Sequence, residues 1–546
     1  MAGGLQSPIS RRTLLGGSLG ALGAAGLAAC TPGGSPGEPG GANNGGGGAL
    51  TPPTFTAFSD VEPDKPGNAE GVPPVFYNYP AEPVNREGFP LPGGEPWTAL
   101  MQALPPKVPA EENKSYQEYE KAVGSKFQVI YGTSAQYTEK FQVTMASNDI
   151  PDFVQIVTVA QLPKLLESTF TDLTDILGGD GVSKYPGLAN IPTATWKIPE
   201  LNGRLWGIPQ PRPPAGRVLT TRGDVMAERG IDDPYVKLRD GADFVDLLKQ
   251  LTNKDKGEFS MGADPTSWLL TGVYSMMGGP NNWAVEDGKF VSQLTTEQYT
   301  RALVEAGKIV QAGYLHPNSF SDPGSNSAWY RAGTTALYFQ SFVGWGGNAR
   351  SNPEWNVGNI ELPKWDGGGL TPIHKSVAGY GAYIAIKKSD DARLEQLLRV
   401  ADYEASPFGT QQYLDVNYGV KGFSYNLEGP NPKSVPSDTS PGIVPMTYTG
   451  GNSGAILFGQ GQTESVDAQY DFLSRAIPDG VEDASQGLYS ETQVTKGATF
   501  AKQQKDVIRE VLLGSKPITA WEEYVADWRK KVGDQIAGEY EEAAAR

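Results

Sequence analysis

The chain has 546 residues, with 62 Asp and Glu against 45 Lys and Arg and a formal net charge of −17. That charge argues against a nucleic-acid partner and against an electrostatic hold on anionic lipid. One cysteine and two histidines exclude a disulfide framework and leave little material for a metal site or a Ser-His-Asp triad.

The first stretch reads Ser10-Arg11-Arg12-Thr13-Leu14-Leu15, then an apolar Gly- and Ala-rich run to Ala29. Twin arginines ahead of such a run make an export signal over residues 1–29. Leu14–Ala29 is too short and too weakly hydrophobic for a spanning helix of roughly 20 residues. It closes on Leu27-Ala28-Ala29-Cys30, similar to the bacterial lipobox, in which the signal is cut before the cysteine and the cysteine carries lipid. Residues 30–53 read as a tether: Thr31–Ala49 is almost all Gly, Pro, Ser, Asn and Ala, with too little apolar surface to offset the entropy of ordering it. A Gly33-Gly34-Ser35-Pro36-Gly37 match to the hydrolase elbow falls there, with no strand before it and no helix after it, and is rejected as a nucleophile.

Beyond the tether the chain is long enough for two lobes. Val75-Phe76-Tyr77-Asn78-Tyr79 reads as a strand, followed by a Pro- and Gly-rich loop over Ala81–Gly94. A helix over Lys114–Val123 precedes a strand at Phe127–Tyr131. A second helix, about Ala135–Ala146, places Tyr137, Phe141 and Met145 on one face, and a strand follows at Phe153–Val157. This strand–helix–strand repetition predicts a parallel, doubly wound α/β sheet, which binds ligands beyond its strand carboxyl ends.

Asn202–Pro209 reads as a tight turn into a strand, and Pro213-Pro214 marks the first crossing between lobes. A strand at Arg217–Arg222, a helix at Asp243–Leu251 and turns at Asn281–Trp283 and Asp287–Lys289 follow. The helix Glu297–Ala312 is capped by Thr295 with Gln298 and stopped by Gly313. His316, ahead of Pro317, reads as a turn residue. Ala336–Phe339 and Ser376–Ile386 read as strands, Ala392–Ala405 as a helix and Ser406–Gln493 as loop-rich. The last helices carry Phe500, Val507, Val511, Trp521, Tyr524, Val525, Trp528 and Val532, with Thr519 and Glu522 as a cap.

These motifs, in this order, resemble the extracellular solute-binding lipoproteins of ABC importers, in the sugar and oligosaccharide group and its aldouronate-type branch. Ala146–Asp152 is similar to the family's A-S-G-D-x-P-D, with Asn148 in place of a common Gly. Asn202–Pro209, Gly313–Pro317, Asn417–Gly422 and the ending Tyr524–Arg546 complete the resemblance. It implies a two-lobed periplasmic-binding-protein fold, type II-like, with ligand in a cleft between lobes joined by crossing strands. The implied division is 54–212 for the first part of lobe 1, 213–375 for lobe 2, 376–450 for the return to lobe 1, and 451–546 packing across the hinge and lobe 2. It also implies capture by hinge closure, delivery to ABC permease subunits, a palmitate-bearing lipid anchor on Cys30 and residence on the extracellular face of the membrane. Export by a twin-arginine or general secretory route, a monomer, no catalytic residue, no metal and no cofactor complete the expectation.

A carbohydrate site needs aromatic faces for stacking and planar polar side chains for hydroxyls. By position the candidates are Tyr79, Gln155, Arg212, Trp268, Trp283, Gln340, Trp345 and Tyr380. Any one tryptophan is as readily a core residue, because large aromatics are usually well buried. Asp152 reads as a turn residue. Two other readings stay open: a secreted glycoside hydrolase, which needs a cleft and paired carboxylates about 5–10 Å apart, and a binder of other solutes such as peptides, since a fold alone does not set the ligand.

Overall fold

Two sheets organise the computed structural model, which describes residues 50–545 apart from 107, 148, 377–382 and 436–454. In chain order their strands are β1 (Trp97–Gln102), β2 (Phe127–Gly132), β3 (Phe153–Gln155), β4 (Ile208–Pro209), β5 (Arg217–Thr221), β6 (Phe259–Met261), β7 (Thr335–Ser341), β8 (Gly358–Ile360) and β9 (Tyr383–Ile386). The first sheet has the order β2-β1-β3-β9-β4 and the second β8-β5-β7-β6.

In the first sheet β1 runs parallel to β2 and β3, while β9 is antiparallel to β3 and β4. Helices cover both faces. Trp97, Ala99 and Met101 face one core with Tyr116 and Tyr119 of the helix Lys114–Val123 and Leu397 of Asp391–Glu404. Leu100 faces the other core with Tyr137 and Phe141 of the helix Tyr137–Ala146. A strand buried on both sides tends to a continuous apolar run, here Ala99–Met101 at the centre of β1. The second sheet shares its core with the helices Leu270–Met276 and Glu297–Ala312 and with the C-terminal helices Glu491–Leu512, Thr519–Trp528 and Asp534–Ala544.

Several expectations shift. The Val75–Tyr79 strand shrinks to Val75–Phe76 and pairs in parallel with Leu457–Phe458, outside the main sheets. The first sheet instead uses β1, just past the Pro- and Gly-rich loop Ala81–Gly94, where no element was expected. The cap of Glu297–Ala312 is Thr296, whose hydroxyl accepts from the Tyr299 amide at 3.3 Å; Thr295 is one residue too early to reach it. Gly313 does stop that helix, at a φ of 72° that suits glycine. Thr519 is the first helical residue rather than a cap. Among its described residues the loop-rich region holds the helices Gln411–Asn417 and Thr463–Ala476. Asp152 is structural: it accepts from the Thr98 amide at 2.9 Å and pairs with Arg393 at 2.9 Å. His316 stacks on Trp329 with ring centres 3.7 Å apart, beside its turn.

Candidate functional site

The strand registers fix where a crevice can form. Gln102 pairs with Gly132, Gln155 with Ile384, and Tyr383 with Pro209, so these residues share one end of the first sheet. In the second sheet Arg217 opens β5 opposite Ser341, which ends β7. The segment from Pro209 to Arg217 therefore joins the carboxyl-end edge of one sheet to the matching edge of the other. Ser376, at the wall beside the second sheet, and Tyr383, which opens β9 in the first sheet, are the described ends of a second connection. A third crossing, after the helix Thr463–Ala476, is tied to the second: His374 bridges Val481 in parallel. It then reaches the first sheet, where Tyr489 donates to the Val159 carbonyl at 3.1 Å. An open sheet binds ligands at this edge, and a joint between two such sheets can close on one.

Two cavities lie along the crossing. The first, of about 790 Å³, is walled by Arg217–Leu219, the segment Thr266–Ser275, the crossing at Leu370–Ser376, and Asp479 and Asp483. Among its aromatic residues, with Tyr274, Tyr299, Phe339 and Phe472, is Trp268, half-buried at the start of the helical segment Pro265–Met276. The Arg217 guanidinium lies over that ring, 4.4 Å from its centre. Burial pulls the Arg217 pKa below its ordinary value. Arg217 is nevertheless accessible from the cavity, so it is surrounded by protein but open to the space in front of it. Asn282, Gln293 and Thr271 add amides and a hydroxyl. His374 donates from Nε2 to the Gly279 carbonyl at 3.0 Å, and burial lowers its pKa.

The second cavity, of about 1200 Å³, meets the crossing at Gln210–Pro213 and is bounded by the helix Phe342–Ser351, by Tyr413, Asn417 and Tyr418, and by Gln469. Arg212 and Arg350 face it.

Of the candidates read from the sequence, Trp268 lines the first cavity and Arg212 the second. Five others lie in packed surroundings. Tyr79 is buried against Phe408 and donates to the Thr410 carbonyl at 2.6 Å. Gln155 is buried and accepts from the Gln102 amide at 2.8 Å, fixing β1 to β3 at the crevice edge. Trp283 packs against Tyr540, with ring centres 5.4 Å apart, and holds the C-terminal helix. Gln340 donates to the Thr220 hydroxyl at 2.7 Å and accepts from Asn348 at 3.3 Å. Trp345 is 1% exposed, donates to the Val357 carbonyl and meets Phe472. Tyr380 and Cys30 lie outside the described residues. Arg217, Asn282, Gln293 and His374 were not among the candidates. Arg217 had one signal available: it is the first strand residue after the Pro213-Pro214 break. Among the described residues no cluster of His, Cys, Asp and Glu could hold a metal ion, and no helix is long and apolar enough to cross a membrane.

Residues 114–406 match the model of a family described as bacterial extracellular solute-binding protein. The chain is similar to the lipoprotein LipO of Bacillus subtilis (strain 168), 23% identical over 469 residues, which are 80% of this chain and 90% of LipO. It is also similar to the polygalacturonan/rhamnogalacturonan-binding protein YtcQ of the same organism, 22% identical over 471 residues, 82% of this chain and 90% of YtcQ. Among solved structures, the N-glycan transport solute-binding protein NgtS of Streptococcus pneumoniae superposes with a TM-score of 0.59 at 15% identity. It covers 85% of this chain and 100% of its own. At that identity the likeness carries the two-lobed fold.

Proposed function

This chain belongs to the bacterial extracellular solute-binding proteins, and on that premise we propose that it captures a carbohydrate, an oligosaccharide, and passes it unaltered to an ABC permease. The division of labour follows the crossings: 54–212 and 376–450 build one jaw, 213–375 the other, and 451–546 braces the second jaw and the joint. The ligand enters the crevice at the joined sheet edges and is trapped when the jaws close. Contacts made to both jaws at once favour the closed form, because a ligand shifts an equilibrium only by its differential affinity. The body works as a monomer on the extracellular face, held by lipid on Cys30 after export by a twin-arginine or general secretory route.

The observation that carries this reading is the cavity at the crossing, which Trp268 lines together with Asn282, Gln293 and Thr271. Indole stacks on the C–H face of a sugar, and planar amides meet its hydroxyls. The printed names of YtcQ and NgtS, a polysaccharide binder and a glycan-transport protein, support the same class of ligand.

A thermal-shift screen against neutral and acidic oligosaccharides tests it. A ligand at a hundred times its Kd stabilises the fold by about 2.7 kcal/mol, and mass spectrometry of the recovered ligand should find it intact. Shortened chains would make the protein a glycoside hydrolase. A panel without any shift removes carbohydrate as the ligand class.

A further inference from the structure

We propose that Arg217 sets the specificity of the first cavity and that the saccharide it selects carries an oxyanion, a carboxylate or a sulfate; this rests on the carbohydrate reading above. The inference comes from what Arg217 does not do. Among the described residues its guanidinium makes no hydrogen bond and no ion pair, and its one contact of note is the face of Trp268 at 4.4 Å.

The more enclosed guanidinium groups of the fold are saturated. Arg86 meets Asp402 at 2.5 Å and also donates to Ser406. Arg222 pairs with Asp224 and donates to the Tyr330 carbonyl. Arg229 donates to the carbonyls of Leu251, Phe259 and Gly333. The other cations at the first cavity are also paired, Arg475 with Glu361 and Lys375 with Glu482. The carboxylates there do not compensate Arg217. Glu361 is taken by Arg475, Asp483 accepts from Asn282 and Ser485, and Asp479 is exposed and forms no ion pair with it.

Arg217 is exposed to the cavity and meets no counter-charge there, so an arriving anion gains an ion pair without displacing one. The guanidinium fork matches two oxygens of a carboxylate or sulfate at once, and such charge-assisted bonds are about twice as strong as neutral ones. Resting on the indole, the long side chain has fewer conformations to lose when it binds. Trp268 and Arg217 thus read two features of one ligand, a sugar face and an acidic substituent.

Calorimetry on the full chain tests this with three sets of probes: oligosaccharides of galacturonate and glucuronate, their methyl esters, and sulfated counterparts. The acids or the sulfated chains should bind at least about tenfold more tightly than the esters. Arg217→Gln should bring acid affinity down to the level of the ester, with the melting temperature nearly unchanged, and Arg217→Lys should recover part of the preference. Acid against sulfate tells which oxyanion is read. Equal affinity for acid and ester, or a preference that survives Arg217→Gln, overturns the proposal. Binding of neutral oligosaccharides alone overturns it too, yet leaves the carbohydrate reading standing; no binding by any sugar brings down both.

Discussion

Asn281 holds Val481 across the joint: its side-chain amide nitrogen donates to the Val481 carbonyl at 3.0 Å and to the Lys375 carbonyl at 2.7 Å. One buried amide thus ties two crossing segments side by side, next to the bridge between His374 and Val481. Asn281→Ala would leave two enclosed carbonyls short of a donor, at a cost of about 1–3 kcal/mol. The expected result is a lower denaturant midpoint and a drop of a few fold in ligand affinity, because the segments that must move together are no longer fastened. An unchanged midpoint would mean that the backbone bonds between the crossings suffice.

The tryptophans separate binding from folding. Trp268 is half-buried at the cavity, whereas Trp345 is enclosed by Phe342, Phe472 and Tyr235. Trp268→Ala should cost roughly 2 kcal/mol of binding, about thirtyfold in Kd, with little change in melting temperature. Trp345→Ala should do the reverse, removing about 3–5 kcal/mol of stability by leaving a cavity. Calorimetry and melting curves on the two variants check both. A Trp345→Ala protein that melts normally and fails to bind would return that residue to the ligand site.

Much of the scaffold was legible because local chemistry agreed with it. Lys114–Val123 and Glu297–Ala312 have clear apolar faces, and a left-handed glycine stops each, Gly124 and Gly313. β1 escaped notice for a physical reason: Ala99, Leu100 and Met101 are apolar in succession, which breaks the alternation that Trp97 and Thr98 begin, and prolines flank it. Thr463–Ala476 escaped because its inward face mixes Val466, Phe472 and Leu473 with a buried Gln469. The site was harder. A tryptophan looks the same in sequence whether it faces a core or a cavity. The first cavity is assembled from Arg217, Trp268, Asn282 and His374, which no local pattern links. What betrays Arg217 is the partner it lacks, and that appears only in three dimensions.

The N-terminal segment of the folded body is fastened by Arg86, whose guanidinium meets Asp402 where the two side chains are 8% and 0% exposed. Asp402 also accepts from the Gly187 amide at 2.6 Å, and Gly187 packs so close to the Asp402 backbone that a Cβ would collide with its carbonyl. Asp402→Ala would strand a buried cation and an amide, and should cost about 3–5 kcal/mol in chemical denaturation. The double variant Arg86→Met with Asp402→Leu removes both charges and should recover part of the loss. A single variant as stable as the parent would show that water reaches the pair.

Both histidines titrate in the same sense. Burial holds the pKa of His374 and of His316 below the ordinary 6.5. His374 faces the Gly279 carbonyl and the charges of Arg217 and Asp483; Arg217 lowers its pKa further, while the Gly279 hydrogen bond and Asp483 oppose the shift. The unfolded chain therefore binds protons at these positions more readily than the folded one. Stability from this source is fully present above about pH 6.5 and is lost as pH falls from there toward the lower folded values. Replacing both with glutamine keeps a donor for Gly279 and removes the titration. Between pH 7 and pH 5 the parent should lose more stability than the double variant, with carboxylate contributions cancelling in the difference. Parallel stability curves across that window would mean that both rings reach solvent freely when protonated.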